Sequence, residues 1–205
     1  MHAPPVSLAW ALADELPPGT GWLGARELQV LGGLRVEARR RSWLLGRLVA
    51  KRAVGEEVEI LAREDGAPRA WRGDELLRGG LSLSHSGGRA VAAWSAEHGR
   101  IGVDLELVEP RSEGFVRDYL TRAEQRFVAG AKDAAEAANL VWSAKEAVLK
   151  ATREGLTVDT LRVAVSVERW GDEQDWRRWS ARHGGAVFEG WWRRWDGFVV
   201  TVVRG

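Results

Sequence analysis

The stretch Trp142-Ser143-Ala144-Lys145-Glu146-Ala147-Val148-Leu149-Lys150 sets a polar cluster into what should be a mostly apolar helix. Lysine occurs only at Lys51, Lys132, Lys145 and Lys150, while arginine serves almost everywhere else, so two lysines within this short stretch point to a specific need for an ammonium group. At helical spacing Glu146 and Lys150 share one face, with Trp142 one turn earlier and Lys145 beside them. Glutamate four residues ahead of lysine is the favoured order for an ion pair, and taken alone these residues are accounted for by an ordinary surface salt bridge.

Working outward, Asp133-Ala134-Ala135-Glu136 offers a cap for this helix, which is expected to run to about Thr152 and stop at Gly155. Thr121-Arg122-Ala123-Glu124 is a capping box opening a helix to about Ala129, and residues 113–120 read as another. Arg111, Arg117, Arg122 and Arg126 then fall on a solvent-facing surface. Further upstream, Ile101-Gly102-Val103-Asp104-Leu105-Glu106-Leu107-Val108 alternates apolar and acidic residues as a strand does. Asp104 and Glu106 project from one face about 7 Å apart, and two like charges there repel unless a cation or arginine offsets them. If that face opens on a cleft, oxygen ligands without histidine or cysteine suit a hard divalent cation such as magnesium, and Gly102 allows close approach.

The amino-terminal part reads as a strand over 6–12, with Val6, Leu8, Trp10 and Leu12 forming its apolar face, then a short helix over 24–31 ended by Gly32-Gly33. A longer helix over 35–54 places Trp43, Leu44, Leu48 and Val54 inward and leaves Arg40, Arg47 and Lys51 as a solvated basic stripe. A strand over 58–62 meets the turn Asp65-Gly66-Ala67-Pro68, and a polar loop leads to the strand Leu81-Ser82-Leu83-Ser84-His85-Ser86, which ends in Gly87-Gly88. His85 alone is as well explained by structure as by chemistry, although its small neighbours leave the backbone accessible to a ligand. A strand over 89–95 follows.

After the central helix come strands over 161–167 and 176–181, then a hairpin of 187–195 with 198–203 across Asp196-Gly197. Trp176-Arg177-Arg178-Trp179 and Trp191-Trp192-Arg193-Arg194-Trp195 could stack single-stranded nucleic acid. A sheet with tryptophans facing the core and arginines covering their edges is the better reading, because the net charge is only +1.

With 205 residues, 45% hydrophobic and 29% charged, the chain suits one compact domain or two small halves. There is no cysteine, so neither disulfides nor Cys-ligated zinc is available. No run approaches the roughly 18 apolar residues of a membrane span, and Met1-His2-Ala3-Pro4-Pro5 lacks the character of a signal peptide. A cytoplasmic protein without nucleic-acid or membrane partners is expected.

In order, Ser84-His85-Ser86-Gly87, Gly102-Val103-Asp104-Leu105-Glu106 and Trp142-Ser143-Ala144-Lys145-Glu146-Ala147-Val148-Leu149-Lys150 resemble the signatures of the Sfp-type 4'-phosphopantetheinyl transferases, with Gly46-Arg47 in the basic helix; the resemblance covers about residues 39–167. It implies an α/β (α+β) fold of two similar halves related by a pseudo-twofold, each a small antiparallel sheet packed with helices, with the active site between them. The halves would be residues 1–101, carrying coenzyme A phosphate and adenine contacts, and 102–205, carrying the metal ligands and catalytic lysine. It further implies magnesium-dependent transfer of the phosphopantetheine arm of coenzyme A to a serine of an acyl or peptidyl carrier protein, in fatty acid, polyketide or nonribosomal peptide synthesis, by a monomer. The alternative is a non-catalytic carrier-binding module of the same fold.

By the same resemblance Asp104, Glu106 and Glu146 match the magnesium ligands, Glu146 or a water it orients is the base, and Lys150 meets the leaving phosphate. Lys145, Arg47, Ser84 and His85 match phosphate contacts, with Arg41 as a helper. Gly66 and Pro68 match a Gly-x-Pro segment facing the adenine; the middle residue, often lysine in relatives, is Ala67 here. The segment after the lysine helix is altered to Arg153-Glu154-Gly155-Leu156. The four arginines from Arg111 to Arg126 are expected to face an acidic carrier.

Overall fold

The computed structural model describes residues 3–168 and 176–205, which form two compact units. Val6–Gly99 makes one; Arg100–Gly205, together with residues 3–5, makes the other. The architecture is mixed α/β, with small antiparallel sheets packed against helices. No helix among the described residues is long and apolar enough to cross a membrane.

In the amino-terminal unit, β1 (Ser7–Leu12), β6 (Arg89–Ser95) and β5 (Gly80–Ser86) form an antiparallel sheet in the order β1-β6-β5. A second sheet runs β2 (Glu59–Ala62), β3 (Pro68–Arg72), β4 (Glu75–Leu76). Helix α1 (Ala25–Gly33) precedes α2 (Glu37–Val54), which packs Leu45, Leu48, Val49, Ala50 and Ala53 onto the small side chains Ala11, Ala90 and Ala92. That close approach reverses the expected face of β1: Ala11 is fully buried, whereas Trp10 is exposed. The large residues of the alternation cannot fit beneath a helix lying so near the sheet, so the alanine face turns inward. The polar stretch after Pro68 also forms strands, β3 and β4, where a loop was expected. The Gly66 turn forms as anticipated, with Gly66 at φ +83° and the Ala67 N–H donating to Asp65 Oδ1 at 3.0 Å.

The basic stripe of α2 is not solvated. Arg47 and Lys51 are both buried. Lys51 pairs with the fully buried Glu27 of α1 at 2.8 Å and donates to the Val58 carbonyl. Glu27 also accepts the N–H groups of Gly24 and Ile60, so one carboxylate joins the start of α1 to β2 and α2.

The carboxy-terminal unit is a five-stranded antiparallel sheet in the order β7 (Ile101–Leu107), β11 (Phe198–Arg204), β10 (Ala186–Trp195), β9 (Arg177–His183), β8 (Ala164–Val167). Helices α3 (Glu113–Tyr119) and α4 (Arg122–Ala129) lead into α5 (Ala134–Thr152), which lies across the sheet and buries Leu140, Ala144, Ala147, Val148 and Leu149 against Trp179, Trp192, Val199 and Val203. Asp133 caps α5 by accepting the Glu136 N–H, as its position predicts. The helix ends one turn before Gly155, with Arg153 in the left-handed region at φ 62°. The segment over 161–167 is only half strand, because Thr160–Arg162 forms a 3-10 turn first.

Trp179, Trp191 and Trp192 are core residues, and arginines lie over tryptophan rings: Arg177 over Trp192 at 4.8 Å and Arg178 over Trp191 at 4.6 Å. Gly190 leaves room for the Trp179 indole, since a Cβ there would lie 2.0 Å from the ring. These rings are therefore committed to the sheet rather than offered to nucleic-acid bases.

The Glu27–Lys51 arrangement recurs in this unit. Glu124, third residue of the α4 capping box, pairs with Lys145 of α5 at 2.9 Å and accepts the Val165 N–H of β8 at 2.7 Å. Lys145 donates to the carbonyls of Thr160 and Val163 at 2.8 and 2.6 Å. In both units, then, a buried glutamate at a helix start holds a following strand and a lysine of the helix that covers the sheet. Three tetrahedral donors on a compact ammonium serve such a pocket better than a planar guanidinium, which explains lysine at both positions in an arginine-rich chain.

Candidate functional site

Strand β7 and helix α5 bring the acidic residues together. Gly102 decides how closely they approach: a Cβ there would lie 1.8 Å from the Ala147 carbonyl oxygen of α5. Its smallness serves the helix rather than a ligand, a correction to the expectation from sequence. The Ser143 and Thr201 hydroxyls, 2.8 Å apart, fasten α5 to β11, where Thr201 is the register partner of Asp104. With α5 so held, Asp104, Glu106 and Glu146 each present a carboxylate oxygen within 4.8 Å of the others.

Two cations border this cluster. Lys150 Nζ donates to Asp104 Oδ1 at 2.7 Å and to the Val103 carbonyl at 3.2 Å. Arg111 Nη2 donates to Glu106 Oε2 at 2.8 Å. Burial, followed by the charge of Asp104, pushes the Glu146 carboxyl up to about 7, against the pull of Lys150. Glu106 is raised for the same reasons, with Arg111 acting against the shift. The Trp142 side chain hydrogen-bonds to both glutamates and is fixed by Phe115 and Tyr119 of α3, whose ring centroids lie 5.1 and 5.4 Å away. Three crowded, partly desolvated carboxylates, with no histidine in the group among the described residues, fit a hard divalent cation, whose charge would relieve their mutual repulsion.

Lys145 is not part of this cluster. It is fully buried, and its three N–H donors are taken by Glu124, Thr160 and Val163. Burial lowers its pKa while Glu124 opposes the shift. At about 100° per residue, Lys145 and Lys150 point some 140° apart around the helix, so one motif supplies one structural and one site lysine. A direct phosphate contact by Lys145 is set aside.

Arg111 is likewise misplaced by sequence reasoning, which put it with the surface arginines. Besides Glu106 it bonds Asn139 Oδ1 at 2.7 Å and lies over the Phe115 ring at 4.9 Å. Asn139, which drew no attention in the sequence, is fully buried and donates to the carbonyls of Glu109 and Ala135 at 2.6 and 2.8 Å. Its signal was present: it lies seven residues before Glu146, two helical turns away on the same face, as a lone amide among alanines. Arg117, Arg122 and Arg126 are exposed, as expected.

The other sequence candidates lie in the amino-terminal unit. Arg41 and Arg47 are on α2, exposed and buried respectively; Ser84 and His85 are on β5, buried and exposed; Gly66 and Pro68 flank the β2–β3 turn. Arg47 lies over the Trp43 ring at 4.3 Å, and its buried Nε–H meets no acceptor among the described residues. Burial lowers its pKa to about 10, while Glu27 opposes that shift.

The family model described as the 4'-phosphopantetheinyl transferase superfamily matches residues 100–203, the unit that holds the acidic cluster. The chain belongs to the 4'-phosphopantetheinyl transferase superfamily. Over 121 residues it is 31% identical to the 4'-phosphopantetheinyl transferase AcpT of Salmonella typhi, and equally so to AcpT of Salmonella typhimurium. Each match covers 55% of this chain and 58% of the relative. Within the residues matched by the family model lie the three carboxylates that could hold a metal ion together, and Lys150 against Asp104.

Proposed function

We propose that the chain transfers the 4'-phosphopantetheine arm of coenzyme A to a serine hydroxyl of an apo acyl or peptidyl carrier protein, releasing adenosine 3',5'-bisphosphate. The observation that carries this reading is the convergence of Asp104, Glu106 and Glu146 within 4.8 Å beside Lys150, in a superfamily member. Asp104, Glu106 and Glu146 would hold magnesium, which when bound offsets the charge on the diphosphate oxygens. Glu146, or a water it orients, takes the serine proton. The serine oxygen then bonds to the phosphorus carrying pantetheine, and the bond from that phosphorus to the bridging oxygen breaks. Lys150 neutralises or protonates the departing phosphate.

In the amino-terminal unit, Arg41, Arg47, Ser84 and His85 are the proposed coenzyme A phosphate contacts, with Gly66 and Pro68 towards the adenine. Arg47 supports this reading best, because a phosphate would supply both a counter-charge and an acceptor for its buried Nε–H. The reading is tested by adenosine 3',5'-bisphosphate formation from coenzyme A in the presence of an apo carrier and magnesium. A non-catalytic carrier-binding module would bind the carrier and release none.

The proposed carrier face lies on α3 and α4, where Arg117, Arg122 and Arg126 are exposed and Arg117 lines a groove of about 310 Å³ together with Arg111, Glu113, Val116, Gln125 and Val128. Exposed arginines on adjoining helices would steer an acidic carrier helix to this face. Reversing the three charges to glutamate should raise the carrier KM by roughly tenfold or more at low salt while the coenzyme A KM stays put. An unchanged carrier KM in steady-state assays refutes that docking face.

A further inference from the structure

We propose that Arg111 is a positioning residue that restricts Glu106 to a single ligand oxygen and so biases the acidic cluster towards magnesium over calcium. This rests on the metal reading given above. Glu106 has two carboxylate oxygens, and one of them, Oε2, is committed to Arg111 Nη2 at 2.8 Å.

The guanidinium has little freedom to yield. Its Nε is bonded to Asn139 Oδ1 at 2.7 Å, Nη1 lies 3.5 Å from Glu109 Oε1, and the plane rests over Phe115. Asn139 is itself fixed through the Glu109 and Ala135 carbonyls, on the β7–α3 connection and α5 respectively. A glutamate held this way on one oxygen cannot rotate to offer both to an ion without breaking a charge-assisted bond. Magnesium is small and binds through single carboxylate oxygens while keeping waters; calcium is larger and gains from bidentate carboxylates and extra ligands. Withholding Oε2 therefore penalises calcium more than magnesium. The competing account, in which Arg111 only clamps the β7–α3 connection, affects stability but leaves the choice of ion alone.

The test is calorimetric titration of the full chain with magnesium chloride alone and calcium chloride alone, in wild type, Arg111→Met and Arg111→Lys. Methionine keeps the stem over Phe115 but offers no donor; lysine keeps the charge but cannot span Glu106 and Asn139 together. Arg52→Gln serves as the control, since Arg52 lies in the amino-terminal unit, where it pairs with Glu15 at 2.8 Å. The ratio of magnesium to calcium affinity should fall roughly tenfold in Arg111→Met, and less far in Arg111→Lys, with the control unchanged. If the methionine variant does not fold, the lysine variant decides. A folded variant that loses melting temperature but keeps the wild-type ratio overturns the assignment. A wild-type chain that binds neither ion overturns the metal reading, and this inference with it.

Discussion

Replacing Glu146 by glutamine should make the metal-free protein more stable above neutral pH while lowering phosphopantetheinyl transfer by about a thousandfold, the scale set by loss of a general base. The two effects share one cause. Burial and the neighbouring Asp104 raise the Glu146 carboxyl to about 7, above its ordinary value of 4.5, so the fold favours its protonated form. A carboxyl raised in this way contributes stability that is present below its ordinary value and is lost as pH rises through about 7. Glutamine carries no charge and keeps a similar shape, so the variant should lack that decline. Melting temperatures at pH 5 and pH 8 in chelator should show a fall in wild type that is reduced in the variant, and magnesium should restore wild type alone. A variant less stable than wild type at pH 8 in chelator would mean that the carboxylates are not in electrostatic conflict, and the metal assignment would lose its physical basis.

The largest stability effect is expected at Lys145. Substituting methionine strands the Glu124 carboxylate in the core, and breaking a buried pair of this kind costs about 3 to 5 kcal/mol. Changing Glu124 to leucine as well should recover part of that loss, because the unpaired charge is then gone, although the Val165 and Thr121 N–H groups still lose their acceptor. Denaturant unfolding of the single and double variants measures both. In the folded fraction, the coenzyme A KM of Lys145→Met should match wild type. A raised coenzyme A KM with undiminished stability would return Lys145 to the phosphate-binding set.

These two variants separate what the sequence made visible from what it hid. The acidic alternation at Asp104 and Glu106 and the spacing of Glu146 and Lys150 are local patterns, and periodicity alone orients them correctly. Helix α5 was legible for the same reason, since Asp133 marks its start and the apolar repeat carries it to Thr152. The lysines were not. Lys51 and Lys145 are long charged side chains whose local setting suggests solvent, and their burial depends on Glu27 and Glu124, each contributed by an earlier helix. The inward face of β1 was hidden similarly, because it depends on α2 packing close enough to require alanine rather than on the strand's own alternation. Arg111 lies beyond the strand pattern and before the helix pattern, where no periodicity applies; only Asn139 and Glu106, meeting it from two elements, give it a role.

Lysine usage ties these points together. Lys51 and Lys145 lock a glutamate at equivalent places in the two units, and Lys150 faces the acidic cluster. Three of the four lysines thus stand where a compact ammonium is required, and arginine fills positions where stacking over tryptophan or a forked contact is more useful.

The most direct test of the central claim is the intact mass of a purified apo carrier protein after incubation with this chain, coenzyme A and magnesium, alongside Glu146→Gln and a chelator control. The account predicts a gain of one phosphopantetheine, about a third of a kilodalton by covalent mass, that disappears with chelator and in the variant. An unmodified mass across fatty acid, polyketide and nonribosomal peptide carriers, from a chain that still binds them, would contradict it and leave a carrier-binding module built on the same acidic scaffold.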